Sequence, residues 1–261
     1  MSESAAVTVE KLPDHVALVT INRPEARNAV NGDVARGLDA AIAQTDADDD
    51  VWVVILTGAG PDAFCAGADL KAVSSGRGHE LRTERGGFAG FVHAPKRKPW
   101  IAAVQAAALA GGCEIALACD LVVAAPAARF GLPEVKRGLI ASAGGLYRLP
   151  RALPPAVARE MILTGEPIGA DRAHALGMVN VLAPDAAGLL DAAKALAARI
   201  TVNAPVAVRE SLAVARQAFD LSDVELRQKS EEGQARNMQS EDFKEGPRAF
   251  IEKRAPRWQG R

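Results

Sequence analysis

The sequence predicts an α/β fold with a helical C-terminal part. Two patterns carry that expectation. Short continuous apolar runs bounded by turn residues, the mark of strands buried on both faces, occupy residues 16–21, 51–56, 100–104 and 121–125. From Pro154 onward the apolar spacing becomes helical, with a short strand at 178–182 as the interruption. Strand-rich sequence followed by helix-rich sequence suits an α/β core carrying a helical tail, and neither a fixed-period repeat nor a long linker divides the two.

In order, VALVTI at 16–21 ends in the turn signal Asn22-Arg23-Pro24. Residues 33–44 place Val34, Leu38 and Ile42 on one helical face, with charges between. The acidic run 46–50 is a solvated loop, and VWVVIL at 51–56 is a buried strand. Directly after it Gly58, Gly60 and Ala63 satisfy G-x-G-x-x-[GA], the opening of a dinucleotide-binding unit. The context is wrong for one. Residues 62–69 are too interrupted for the helix that would hold a pyrophosphate, and the next convincing strand begins only at Trp100. The second glycine cluster, FCAGADLK at 64–71, sets a turn at Gly67 beside the small Ala68, where a ligand can approach the main chain. Residues 72–98 are glycine-rich and polar with a basic excess, and a loop with some helix is expected there.

The stretch WIAAVQAAALAGGCEIALACD at 100–120 reads as strand, tight turn and helix start. A helix start presents unpaired N–H groups and about half a positive charge, so Gly111 can donate to an oxygen gaining negative charge. Glu114 sits one turn inside. A carboxylate in so apolar a helix must be hydrogen-bonded, paired or functional, because burying it bare is costly. A strand follows at 121–125, and Arg129 to Glu134 turn the chain. The surroundings of Glu134 are equally those of an ordinary turn carboxylate. Helical spacing then covers 156–163, 170–176, 186–200, 205–218, 223–238 and 242–253, with Gly165, Gly177 and Asn203 as stops.

At 261 residues and 49% hydrophobic composition the chain can bury a full core. A net charge of −1 and a pI near 6.5 carry no global signature of nucleic-acid or membrane binding. Cys65, Cys113 and Cys119 are odd in number and lack C-x-x-C spacing, which suits a reduced cytosol better than a disulfide framework. The first fifteen residues lack the basic and apolar regions of a secretory signal, and Gln105, Glu114 and Asp120 break the apolar run before it could span a bilayer. The expectation is a soluble cytoplasmic protein. His15, His79, His93 and His174 lack metal-ligand spacing, and no G-x-S-x-G elbow is present.

Asn22-Arg23-Pro24 with Asn28-Ala29, LTGAG, FCAGADLK, AGGCEIALACD, RFGLPEVKRGL, AGG, LTGEPI, GMVN and EGPRAFIEKRAP occur in that order. In this ordered set the chain resembles the crotonase, or enoyl-CoA hydratase/isomerase, superfamily over essentially its whole length. The resemblance implies a spiral of repeated ββα units, taken as residues 1–195, and a C-terminal helical region, 196–261, that packs protomers into a homotrimer or a dimer of trimers. It also implies that the thioester oxygen of an acyl-CoA is held by the backbone N–H groups of Ala68 and Gly111, donors fixed where charge develops. Hydratases of the family use two glutamates, which match Glu114 and Glu134, here 20 residues apart. Glu114 is then expected to position and deprotonate water, and Glu134 to deliver the proton to Cα.

By the same resemblance Ala26, Ala66, Asp69, Leu70 and Lys71 contact the CoA, and Phe250 and Lys253 reach the nucleotide bound to a neighbouring protomer. The expected reaction is hydration of a trans-2-enoyl-CoA, with no metal or redox cofactor. The alternatives are an enoyl-CoA isomerase, or a non-catalytic acyl-CoA or RNA-binding relative supported by Lys96-Arg97-Lys98. The chain departs from the usual family pattern at several places. Ala110 replaces the first of three glycines, Gln105-Ala106-Ala107 an asparagine-glycine-aromatic run, Ile140-Ala141-Ser142 an isoleucine-proline-glycine, and Leu146-Tyr147 a threonine-glutamine pair.

Overall fold

The computed structural model describes residues 5–261. A hairpin opens the described chain, β1 (Val7–Leu12) pairing antiparallel with β2 (Val16–Ile21), and helix α1 (Gly32–Ala47) follows. The chain then winds in successive turns. β3 (Val53–Gly58) and β4 (Ala63–Cys65) make the first, closed by the single helical turn α2 (Leu70–Ala72). A small ribbon, β5 (Arg82–Thr83) and β6 (Gly87–Phe88), leads to the second, β7 (Trp100–Val104), β8 (Ala107–Leu109) and α3 (Gly111–Leu117). The third comprises β9 (Leu121–Ala124), β10 (Arg129–Gly131), α4 (Gly145–Ala152) and α5 (Pro155–Thr164). β11 (Ile168–Gly169), α6 (Ala170–Ala175), β12 (Val181–Leu182) and α7 (Leu189–Thr201) complete the sheets. Helices α8 (Pro205–Ala215), α9 (Asp223–Met238) and α10 (Glu241–Glu252) come last.

Each turn gives its first strand to a six-stranded sheet, β1-β2-β3-β7-β9-β12, and its second to a four-stranded sheet, β11-β10-β8-β4. Within the first, β2 through β12 are parallel, and in the second β4, β8 and β10 are parallel. This is the expected spiral of ββα units. Alternate residues of the strands enter two different cores, which is why the runs are continuously apolar. Val54, Leu56, Trp100 and Ala102 face α1 and the interior of the spiral. Val53, Ile55, Ile101 and Ala103 face Ala193, Leu196 and Ala197 of α7.

Helix α7 crosses the expected division at residues 195/196 and belongs to the core on both sides of it. The helices that follow the sheet-packed part begin at Pro205. The dinucleotide-like glycines lead into β4 rather than into a helix. Their turn is closed from within, since Gln105 Nε2 donates to the carbonyls of Gly58, Gly60 and Ala63 at 2.8, 3.1 and 2.8 Å. Buried Asn28 donates to Ala59 O and Ala63 O at 2.8 and 2.7 Å.

The basic triplet 96–98 is largely turned inward. Lys98, only 1% exposed, donates to Thr45 O and Asp48 O and so caps the C-terminal end of α1, where a cation is favoured. Lys96 donates to Phe91 O and Ala94 O. Arg97 alone of the three is exposed. Among the described residues no helix is long and apolar enough to cross a membrane.

Candidate active site

Three adjacent parallel strands, β4, β8 and β10, deliver Ala68, Gly111, Glu114 and Glu134 from their carboxyl ends. In an open parallel sheet that edge is where ligands bind, because the chain leaves it in loops and helix starts. Beyond β4, Val30 N donates to Gly67 O at 2.8 Å and Asp69 N donates to Val30 O at 2.9 Å. These two bonds flank Ala68 in a parallel bridge, leaving its own N–H on the opposite side of the segment. Beyond β8, α3 starts at Gly111, whose N–H belongs to the unsatisfied first turn. The two turns touch: a substituent on Gly67, at φ +95°, would lie 3.0 Å from Gly111 N and 2.9 Å from Ala110 Cβ. Both proposed donors are therefore brought to one place.

The donor turn carries strain. Ala110 precedes α3 with φ 52° and ψ −129°, a conformation ordinarily left to glycine. Its N–H donates to Gly131 O at 2.9 Å, tying the end of β8 to the end of β10. Releasing about 1–3 kcal/mol of such strain outweighs the roughly 0.5–1 kcal/mol that glycine's extra chain entropy costs. Ala110→Gly is accordingly expected to raise the thermal midpoint by a few degrees in calorimetry. A lowered midpoint would show that the methyl group's packing, not the backbone, dominates at that turn.

Glu114 lies in the first turn of α3 and is 3% exposed. Its Oε1 accepts from Gly145 N, at the start of α4, at 2.9 Å. Burial pushes its carboxyl up to about 7, opposed by the Gly145 N–H and reinforced by the negative charge of Glu134. Glu134 belongs to a 3-10 turn, Pro133–Arg137, immediately beyond β10. Its carboxyl is also raised, mainly by burial, against its own backbone N–H and the Arg137 charge. Its Oε2 is buried and accepts no hydrogen bond. Two carboxyls on consecutive turns of the spiral are thus both raised by burial, Glu114 far enough to hold or release a proton near neutrality.

Phe88, which sequence reasoning missed, stands against this site from the ribbon within 72–98. A methyl group on Gly111 would overlap its ring, so only glycine fits between ring and helix start. Nothing in the local sequence marks Phe88, because the ribbon that presents it has two-residue strands. At the departures from the family pattern, Tyr147 OH meets a ring nitrogen of His93 at 3.0 Å, and Ala141 packs beside Gly145.

Ala26 and Ala66 are brought into one neighbourhood by the bond from Ala66 N to Arg27 O at 3.1 Å. Asp69 Oδ2 pairs with Arg23 Nη1 at 3.0 Å, and its Oδ1 accepts from the backbone of Lys71 and Ala72. Burial alone would raise this carboxyl, but Arg23 and the backbone donors hold it below its usual range. Asp69 thus braces the Gly67–Ala68 turn against the Arg23 turn. Leu70 and Lys71 are exposed beside it. Phe250 and Lys253 lie at the end of α10, which packs on α9, and Phe250 is 86% exposed. Among the described residues no group of three or more His, Cys, Asp or Glu side chains is arranged to hold a metal ion.

The Ala68 and Gly111 turns and the raised carboxyls of Glu114 and Glu134 are thus gathered at the ends of three neighbouring strands, the parts that acid–base chemistry beside a developing oxyanion requires. Residues 11–261 match the enoyl-CoA hydratase/isomerase family, and the chain belongs to that family. It is 39% identical to a carnitinyl-CoA dehydratase from Salmonella arizonae, over 100% of both chains. Among solved structures it is similar to an enoyl-CoA hydratase from Mycobacterium tuberculosis, with 47% identity, 99% and 100% of the two chains covered, and a TM-score of 0.93. It is likewise similar to a carnitinyl-CoA hydratase from Mycobacterium avium, with 49% identity, the same coverage, and a TM-score of 0.78.

Proposed function

We propose that the protein is a hydro-lyase that adds water reversibly across the 2,3 double bond of a trans-2-enoyl-CoA thioester. The observation that carries this reading is the pair of raised carboxyls, Glu114 and Glu134, presented beside the Ala68 and Gly111 backbone turns. In the forward direction Glu114 removes a proton from water as its oxygen bonds to Cβ. The electron pair of the double bond moves toward the thioester oxygen, and the two N–H groups stabilise that enolate. Glu134 then gives its proton to Cα, so one water is added and the pair is left with one proton, as it began. Ala26, Ala66, Asp69, Leu70 and Lys71 would line the CoA. No metal or redox cofactor enters this scheme.

The relatives named for carnitinyl-CoA add a second candidate acyl group, one bearing a trimethylammonium. An isomerase that shifts the double bond through the same enolate ranks next. An RNA-binding role is disfavoured by the inward-facing Lys96 and Lys98. We further read Phe250 and Lys253, at the exposed end of α10, as reaching the nucleotide bound to a neighbouring copy in a homotrimer or dimer of trimers, in a cytoplasmic protein.

The test is a panel of 2-enoyl-CoA thioesters with short, long, branched, aromatic and trimethylammonium-bearing acyl groups. Loss of the conjugated absorbance is followed for the wild type, Glu114→Gln and Glu134→Gln. Hydration of any member that disappears in both variants supports the proposal. Conversion of 3-enoyl-CoA with no hydration would replace it by the isomerase reading, and salt-sensitive nucleic-acid binding without turnover by the binding-only one.

A further inference from the structure

Helix α4 carries a half-buried cation, Arg148, on the Glu114 side of the fold. The Arg148 guanidinium donates through Nη1 to Ala143 O at 3.2 Å and through Nη2 to Val92 O at 2.5 Å. Its bonds are therefore to carbonyls, not to a carboxylate. The first carbonyl belongs to the turn Ala143-Gly144-Gly145, whose Gly145 N–H holds Glu114 Oε1. Gly144, at φ +116°, leaves the space that Arg148 Nη1 fills. The second carbonyl belongs to the segment that carries Phe88, since Val92 N donates to Phe88 O at 3.2 Å. One planar fork thus joins the turn that grips Glu114 to the segment that covers Gly111, a geometry lysine cannot reproduce.

We infer that Arg148 is a positioning residue for Glu114, fixing the Ala143–Gly145 turn against the Phe88 segment and supplying the positive charge that faces the Glu114 carboxyl. This rests on the reading of Glu114 as the proton acceptor. The charged and titratable groups around the pair come from every packed element. Glu134 faces Glu114 from the 3-10 turn beyond β10, and Cys113 neighbours Glu114 on α3. Tyr147 and Arg151 share α4 with Arg148, and Cys119 follows α3. His93, with Lys96 and Arg82 nearby, faces Arg148 from the 82–96 side. Burial and those three cations hold the His93 ring below its ordinary range, so it is neutral at pH 7 and above. The positive charge of Arg148 opposes the rise that burial and Glu134 impose on Glu114.

The experiment follows the carboxyl stretch of Glu114 by infrared difference spectroscopy across pH in the intact protein, with Glu114→Gln identifying the band. The wild-type midpoint is expected near 7. Arg148→Met and Arg148→Gln are each expected to shift it upward. Arg148→Lys, which keeps the charge but not the fork, should stay close to the wild-type midpoint while lowering kcat. A neutral variant that is folded by near-ultraviolet circular dichroism and keeps the wild-type midpoint overturns the inference, even if its turnover falls. Arg148→Gln retains a donor for one carbonyl and so serves should the methionine variant not fold. Because the band is read without substrate, a failure of the hydratase proposal would show instead as a wild type that titrates as expected and hydrates no thioester.

Discussion

Glu114→Gln should lower turnover by roughly 10²–10⁴-fold, the usual range for removing an acid–base group, and yet stabilise the protein above pH 7. The amide keeps an oxygen for the Gly145 N–H, so the α3–α4 contact survives while proton transfer is lost. The sign of the stability change follows from the direction of the shift. Glu114 is raised from 4.5 to about 7 in the folded protein. Between those values the native state holds a proton that the unfolded chain has released, so stability falls as pH rises through that window. Above it the buried carboxylate costs on the order of 3 kcal/mol. Urea midpoints of wild type and variant should therefore coincide near pH 4 and diverge in favour of the variant by pH 8. Parallel curves across that range would mean that Glu114 titrates normally in the folded state, and its assignment as a base poised near neutrality would fall.

Gly112→Ala should abolish folding, or cost more than about 4 kcal/mol, the level reached only by severe core disruption. A methyl group there would overlap the carbonyl oxygen and carbon of Cys65, which are backbone atoms of the strand end that carries Ala68. Neither can move aside, because β4 is held by β8 on one side and its following turn by Val30 on the other. Gly169→Ala provides the comparison. Nothing lies within 4 Å of a methyl group at that position, and its φ of −80° is open to any residue. Soluble expression and thermal midpoint of the two variants, measured together, separate close approach of backbones from a general penalty for losing glycine. A Gly112→Ala protein with an unchanged midpoint would mean that α3 and β4 are farther apart than their packing here.

Much of the architecture was legible where local pattern and tertiary burial agree. The run Trp100–Val104 is a strand over the predicted residues, because it is apolar on both faces and both faces are covered. Helix α9 likewise spans Asp223–Met238, opened by a capping box between Ser222 and Glu225. The small sheet was not legible. β8 and β10 have three residues each, too few to show a period, and the sequence around Phe130 carries only the signals of a turn. Helix α4 hides for another reason: Pro150 lies inside it, and Leu146 and Tyr147 are exposed.

Part of the site was open to reading. Gly111 and Glu114 announce themselves by a glycine pair and a charge within an apolar helix. Glu134 does not, since what sets it apart is burial contributed by other turns of the chain. Phe88 and Arg148 are invisible for the same reason, one placed by a two-residue strand and the other by a contact 56 residues away.

The parallel edge formed by β4, β8 and β10 has a consequence for how such a protein can change its chemistry. In the proposed mechanism the two enolate donors and Glu114 issue from the first two strand ends, whereas Glu134 issues from the third. Activation and reaction outcome are thus written on separate, consecutive segments joined mainly by backbone pairing. On that mechanism, exchange of the segment beyond β10 is expected to redirect the fate of a common enolate while the donors and Glu114 that generate it stay intact.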